Sequence, residues 1–141
     1  MALWFECSVR YDRMQQNGSI KKVTEPYLVD ALTFTEAEAR IIEEITPFIS
    51  GDYTISAIKK TKVAEIFRND SADKWWLVKY NIITLDEKSG KKKKTPVLVM
   101  VAANTQQDAT DNFSEGMKGT ISDFEIISVA ETKIMDVYGN E

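Results

Sequence analysis

The residues of this chain best suited to chemistry are cations and aromatics, because histidine is absent and Cys7 is the sole cysteine. Without histidine there is no ordinary general base near neutral pH, no middle member for a catalytic triad and no imidazole metal ligand. A lone cysteine excludes an intrachain disulfide and a cysteine-rich zinc site. No phosphate-cradling glycine loop or dinucleotide fingerprint occurs. The expectation is a binding module and not an enzyme, with no cofactor and no metal.

Lys88, Lys91, Lys92, Lys93 and Lys94 crowd around Ser89-Gly90, which reads as a mobile hairpin tip able to grip phosphates. The same lysines also suit a solvated loop that keeps a sheet edge from pairing with other chains. Trp4 and Trp75 begin two similar stretches, with Arg10 and Lys79 further along on the same strand faces. On an open sheet face these aromatics would stack bases while the cations follow the backbone. The competing reading has both tryptophans plugging a seam between two halves of the protein. Lys62 and Lys133 sit at matching places, each preceded by threonine and followed three residues later by an acid, Glu65 or Asp136. They mark either a doubled contact site or a local need at a strand bend.

Weaker candidates follow. Asp108, Asp111 or Asn112, and Glu115 fall on neighbouring helical turns and would suit a hard cation for metal-dependent hydrolysis, although acids near a helix start already answer the macrodipole. Ser19-Ile20-Lys21-Lys22 and Ser89-Gly90-Lys91-Lys92 both place a lysine three residues after a serine, but lysines on exposed turns stay protonated and inert. Cys7 lies in a buried apolar series and reads as a small hydrophobe.

The elements that must position these residues are written twice. Residues 4–67 overlay residues 75–138 at a shift of about seventy. Asp52-Tyr53-Thr54-Ile55 and Thr61-Lys62-Val63-Ala64-Glu65-Ile66-Phe67 return as Asp123-Phe124-Glu125-Ile126 and Thr132-Lys133-Ile134-Met135-Asp136-Val137-Tyr138. In the first copy Phe5, Cys7, Val9 and Tyr11 alternate with polar residues, the period of a half-buried strand. Asn17-Gly18 supplies a tight turn into a second strand, in which Pro26 bars central pairing. Thr35-Glu36-Ala37-Glu38 reads as a capping box after the staple residue Phe34, and the helix should bury Ile41, Ile45 and Phe48 until Pro47 ends it. A long third strand is expected from about Tyr53 to Phe67, with a bulge or bend at Lys59-Lys60-Thr61-Lys62.

The second copy repeats the plan. Trp76, Val78, Tyr80 and Ile82 alternate, Pro96 stands where Pro26 stood, and Thr105-Gln106-Gln107-Asp108 caps a helix that buries Ala109, Phe113 and Met117 despite Gly116 in its last turn. Val97 to Ala102 is more uniformly apolar than Tyr27 to Leu32, which contains Asp30, so the second copy's strand should be the more deeply covered. The fold expected is α+β: two tandem β-β-α-β repeats related by a pseudo-twofold axis, in an antiparallel sheet with two helices on one face. Residues 1–141 form a single domain sharing one core, with repeat one at 4–67, a polar linker at 68–74 and repeat two at 75–138.

Formal net charge is −4, which disfavours coating duplex DNA by bulk electrostatics and leaves local patches to decide. No apolar run suits a bilayer span and the first residues lack a secretory pattern, so a cytoplasmic protein with no membrane partner is expected. Three sequons, at Asn17, Asn69 and Asn112, carry no meaning in that compartment.

Trp4-Phe5-Glu6-Cys7, the Thr33-Phe34-Thr35-Glu36-Ala37-Glu38-Ala39 helix start and Lys62-Val63-Ala64-Glu65-Ile66-Phe67 together resemble an uncharacterised domain-of-unknown-function family of small proteins from gut Bacteroidetes and their phages or mobile elements. The likeness spans nearly the whole chain and brings no catalytic residues, since its motifs are packing and capping motifs. It implies a setting rich in accessory proteins of replication, recombination or host takeover. The functions expected are single-stranded nucleic-acid binding through a sheet face and the lysine hairpin or, as the alternative, docking on a host or phage protein. The residues leave the oligomeric state open.

Overall fold

A computed structural model describes residues 3–139. The alternation of Phe5, Cys7 and Val9 with Glu6 and Ser8 builds strand β1 (Leu3–Met14), which turns onto β2 (Ile20–Ala31). Gly18 takes φ 84° and the Asn17 side chain accepts the Ser19 amide, but Asn17 itself is not at positive φ and the chain reverses over residues 15–19, a longer loop than the two-residue Asn-Gly turn expected. Helix α1 (Phe34–Ile45), a short 3-10 turn (Thr46–Phe48) and β3 (Tyr53–Lys60) follow. After β4 (Val63–Phe67) the pattern runs again through β5 (Lys74–Leu85), β6 (Lys92–Ala103), α2 (Gln106–Gly116), β7 (Asp123–Glu131) and β8 (Val137–Tyr138). The protein is α+β and the strand-strand-helix-strand order occurs twice.

The strands divide between two four-stranded sheets, ordered β3-β1-β2-β8 and β4-β6-β5-β7. The long third strand expected across Tyr53 to Phe67 is two strands. β3 pairs antiparallel with β1, the chain then breaks at Thr61-Lys62, and β4 pairs parallel with β6 in the other sheet. The second repeat does the reverse: β7 pairs with β5, and β8 returns to lie parallel on β2. The chain accordingly clusters into one unit of residues 1–61 and 133–141 and a second of residues 62–132, so the compact units cut across the sequence repeats.

Each unit has its own core between sheet and helix. In unit 1, Phe5, Cys7, Val9, Tyr27, Val29 and Ala31 meet Ala37, Ile41 and Ile45 of α1. In unit 2, Val78, Tyr80, Val99 and Val101 meet Phe113 and Met117, with Trp76, Ala103 and Ala109 alongside. Both helices bury the residues their periodicity marks, except that Phe48 lies beyond the end of α1 and is 75% exposed.

Several local expectations change. Thr33, not Thr35, caps α1: its hydroxyl accepts the Glu36 amide at 3.1 Å, as the Thr105 hydroxyl accepts that of Asp108 at 3.1 Å. Thr35 lies inside the first turn, too late to cover the free amides ahead of it. The two prolines are not equivalent either. Trp4 faces Asp30 and Trp75 faces Ala102, so Pro26, opposite Ser8, matches Leu98, opposite Lys79; Pro96 lies two residues further out, opposite Asn81. Pro26 costs the β1 ladder nothing, because its carbonyl accepts from Met135 on the β8 side and its nitrogen points the same way. Finally, β6 is no more deeply covered than β2. Both are interior strands ending in runs of five buried residues, and Asp30 is accommodated by Arg40, whose Nε lies 3.4 Å from the carboxylate.

Candidate nucleic-acid interface

The lysine cluster sits at the outer end of the β5–β6 hairpin. Asp86 organises the turn: its carbonyl accepts from Gly90, its carboxylate accepts the Lys88 amide at 3.0 Å, and Gly90 adopts φ 70°. Hydrogen bonds from the Lys88 amide and then Ser89 hold the Asp86 carboxyl below the usual range. Only Lys88 and Lys91 belong to the turn. Lys92, Lys93 and Lys94 are the first residues of β6, in register with Leu85, Thr84 and Ile83, so this part of the cluster is strand and not the mobile tip expected. The cause is continuity of the ladder: β5 stays paired out to Leu85, and its partner strand must begin at Lys92.

Strand alternation separates the three. Lys92 and Lys94 share the sheet face of Lys79 and Asn81, away from α2, and Lys93 points to the other face. All three are exposed, as are Lys88, Lys91 and Lys79. Lys94 is paired: its ammonium lies 2.9 Å from Glu125 of β7, and that contact followed by the Asn81 amide lowers the Glu125 carboxyl. Among the described residues, Lys88, Lys91, Lys92 and Lys93 make no ion pair. Glu125 belongs to this site although no motif in its local sequence marks it. The available signal was its place in a predicted strand, but the pairing of β7 with β5 that brings it to Lys94 joins distant segments.

In the matching arm of unit 1, Lys21 and Lys22 are exposed and Arg13 is paired. The Arg13 guanidinium pairs with Glu25 and lies over the Tyr11 ring at 5.9 Å, and the Tyr11 hydroxyl donates to Glu25 at 2.8 Å. Arg10 is exposed on the opposite face, beside Asp12, Lys22 and Thr54 in a shallow groove.

The tryptophans do not form a stacking platform. Trp4 is 3% exposed and Trp75 is 8% exposed, so neither ring offers a free face to a base. Strand periodicity placed them correctly on the face away from the helices, but a face's period does not reveal whether that face is covered. Arg10, six residues along β1 from Trp4, stands roughly 20 Å away at the usual strand rise. The aromatic and cationic parts of the expected site are therefore not brought together.

Lys62 and Lys133 are exposed at the points where the chain leaves one unit for the other. The residue before each explains the repeat. Thr61 donates its amide and hydroxyl to the Trp4 carbonyl at 2.9 and 2.8 Å, and Thr132 does the same to the Trp75 carbonyl at 3.0 and 2.8 Å. The recurring threonine is a two-bond clamp at each crossing.

The helix α2 acids do not gather around a cation position. Asp111 accepts from Gln107, Glu115 pairs with Lys118 at 2.8 Å, and Asn112 donates to the Ala102 carbonyl. Among the described residues no group of three or more metal-ligating side chains forms. Cys7 is fully buried and its thiol is pushed up to about 11, first by burial and then by Glu6, which leaves it an unreactive hydrophobe at neutral pH. Among the described residues no helix is long and apolar enough to cross a membrane.

The chain belongs to a family described as a domain of unknown function (DUF4494), which matches residues 3–140. No curated protein and no solved structure matches it.

Proposed function

We propose that this member of a domain family of unknown function is a non-enzymatic binding module that grips the phosphates of single-stranded nucleic acid through the outer end of its β5–β6 hairpin. The observation that carries the reading is the group Lys88, Lys91, Lys92 and Lys93: exposed, unpaired with any acid among the described residues, and held on a paired strand and a hydrogen-bonded turn in a protein of net charge −4. Positive charge concentrated in one place against an acidic whole directs a polyanion to that place. Lys79 lies on the same face as Lys92 but six residues along β5 from its register partner Leu85, and stands outside this patch. With Trp4 and Trp75 buried, base stacking plays no part, so binding is to the backbone and tolerant of sequence. Arg10, Lys62 and Lys133 stand outside this patch in the proposal.

Binding to a labelled oligonucleotide should weaken as salt rises, with a log–log slope of about −0.7 for each phosphate neutralised. Replacing Lys91, Lys92 and Lys93 by Gln should flatten that slope by roughly two units and cut affinity correspondingly. Undetectable binding, or binding indifferent to salt, rejects the reading.

A protein-docking role is the second reading, favoured by Ile126 and Ile127, which are 37% and 50% exposed on the sheet-edge strand β7 beside the Gln106, Gln107 and Thr110 side of α2. One stoichiometric protein partner captured after nuclease treatment would select it. A cytoplasmic setting belongs to the same proposal, as does an accessory role in phages or mobile elements of gut Bacteroidetes, which rests on the resemblance of the capping and packing motifs.

A further inference from the structure

Each sheet is completed by a strand that arrives from the other repeat: β4 on the outer edge of β6, and β8 on the outer edge of β2. The two seats differ in hold. The β4 ladder runs from Val63 to Phe67, whereas the β8 ladder pairs only Val137 and Tyr138, with Leu28 and Val29. Beyond that pairing, the Leu28 amide donates to the Asp136 carbonyl at 3.1 Å and the Met135 amide to the Pro26 carbonyl at 2.8 Å. Ile134 and Val137 are buried, and the Tyr138 ring stacks on Tyr27 at 5.8 Å. The segment begins at Lys133, an exposed joint just past the Thr132 clamp.

These interactions are made by residues 134–138, and none of them depends on which molecule supplies that segment. We propose that the β2 edge is an interaction surface for a second copy of this chain, which two copies fill by exchanging residues 133–139 reciprocally. The chain already crosses from one unit to the other after Thr61 and after Thr132, so the exchange needs no new contact, only a different source for the strand. The short β8 ladder is the one that opens, because few backbone bonds hold it and local opening costs least where ordered contacts are fewest. Closed and exchanged forms share their contacts, so chain concentration against the effective concentration of the tethered segment sets their ratio when the strands seat during refolding, and a dimer seated at both edges separates only when both strands are released together.

The test uses full-length chains. Leu28 and Val137 are register partners. Neighbouring strands lie about 4.8 Å apart, inside the range a disulfide spans. Chains carrying Leu28→Cys and chains carrying Val137→Cys are unfolded together, refolded over a range of concentrations and oxidised. The expected product is a disulfide-linked heterodimer whose share rises about tenfold for a tenfold rise in concentration while it remains the minor species. No linked heterodimer above the level of a wild-type mixture, at any concentration, overturns the proposal. If the cysteine chains fail to fold, wild-type chain refolded the same way and sized by light scattering decides. A dimer that survives dilution and reverts to monomer only after unfolding supports exchange; monomer alone, or a dimer that separates on dilution, overturns it.

Discussion

Both units seat the incoming strand on a ring stack, but unit 2 extends that stack into a cluster of rings, whereas unit 1 sets an ion pair of β2 and α1 beside it. In unit 2, Phe67 of β4 stacks on Phe113 at 5.9 Å, and Phe113 in turn meets Tyr80 at 5.0 Å and Phe124 at 5.7 Å. Gly116 completes that seat, since a Cβ there would come within 2.9 Å of the Phe67 ring. The glycine that weakens α2 by propensity is what lets the strand lie down on it. In unit 1, Tyr138 occupies the corresponding place, stacked on Tyr27, and the residue after it is Gly139 at φ 152°, pressed against the Asp30 carboxylate that Arg40 faces. Ala102 stands where Asp30 does in the register of unit 2, and the residue after Phe67 is Arg68. Similar backbone pairing thus tolerates opposite side-chain chemistry, provided each large or charged group faces a small one.

The comparison breaks hardest at Phe113. Phe113→Ala removes the hub of three ring contacts and should cost about 3–5 kcal/mol in chemical denaturation, while Ile41→Ala at the equivalent helix position of unit 1 should cost about 2–5 kcal/mol. A loss well under 2 kcal/mol for Phe113→Ala would mean that the ring cluster does not hold the strand in place.

A smaller effect separates the two glycines' roles. Gly139→Ala places a methyl group against the Asp30 carboxylate at a positive φ and should cost about 1–3 kcal/mol. Adding Asp30→Ala should return the part due to the clash and leave the backbone part, a non-additivity that a double-mutant cycle measures directly. Strict additivity would place the Asp30 contact outside the seat.

The smallest expected effect tests what the two units share. Thr61→Val and Thr132→Val each remove one hydroxyl bond to a tryptophan carbonyl, worth about 1 kcal/mol. Equal shifts in the unfolding midpoint are expected from the matched geometry. If one substitution is neutral and the other is not, the crossings are not equivalent clamps.

Much of this architecture could be read from short-range pattern. The alternation in β1 and β5, the Asn17-Gly18 turn and the inner faces of α1 and α2 follow from periods of two and of 3.6 residues, which act over a few neighbours. The α1 cap is legible only through the repeat, since Thr33 precedes Glu36 by the same spacing as Thr105 precedes Asp108, whereas the local Thr35-Glu38 pattern points to the wrong threonine. Of the candidate site, the exposed lysines were visible as charge, but their division between turn and strand was not. That division depends on how far β5 stays paired.

The α+β class, the strand-strand-helix-strand plan run twice and the recurrence of Thr-Lys at matched points are legible in the linear order of residues, because each is encoded by residues close together or by self-similarity. Where the chain goes after Thr61 and Thr132, and that Trp4 and Trp75 are buried, emerge only in the folded molecule. A strand's period tells which side chains point together. What lies over that face, and which edge a strand will join, depends on partners tens of residues away, as Phe67 on Gly116 and Gly139 on Asp30 both show.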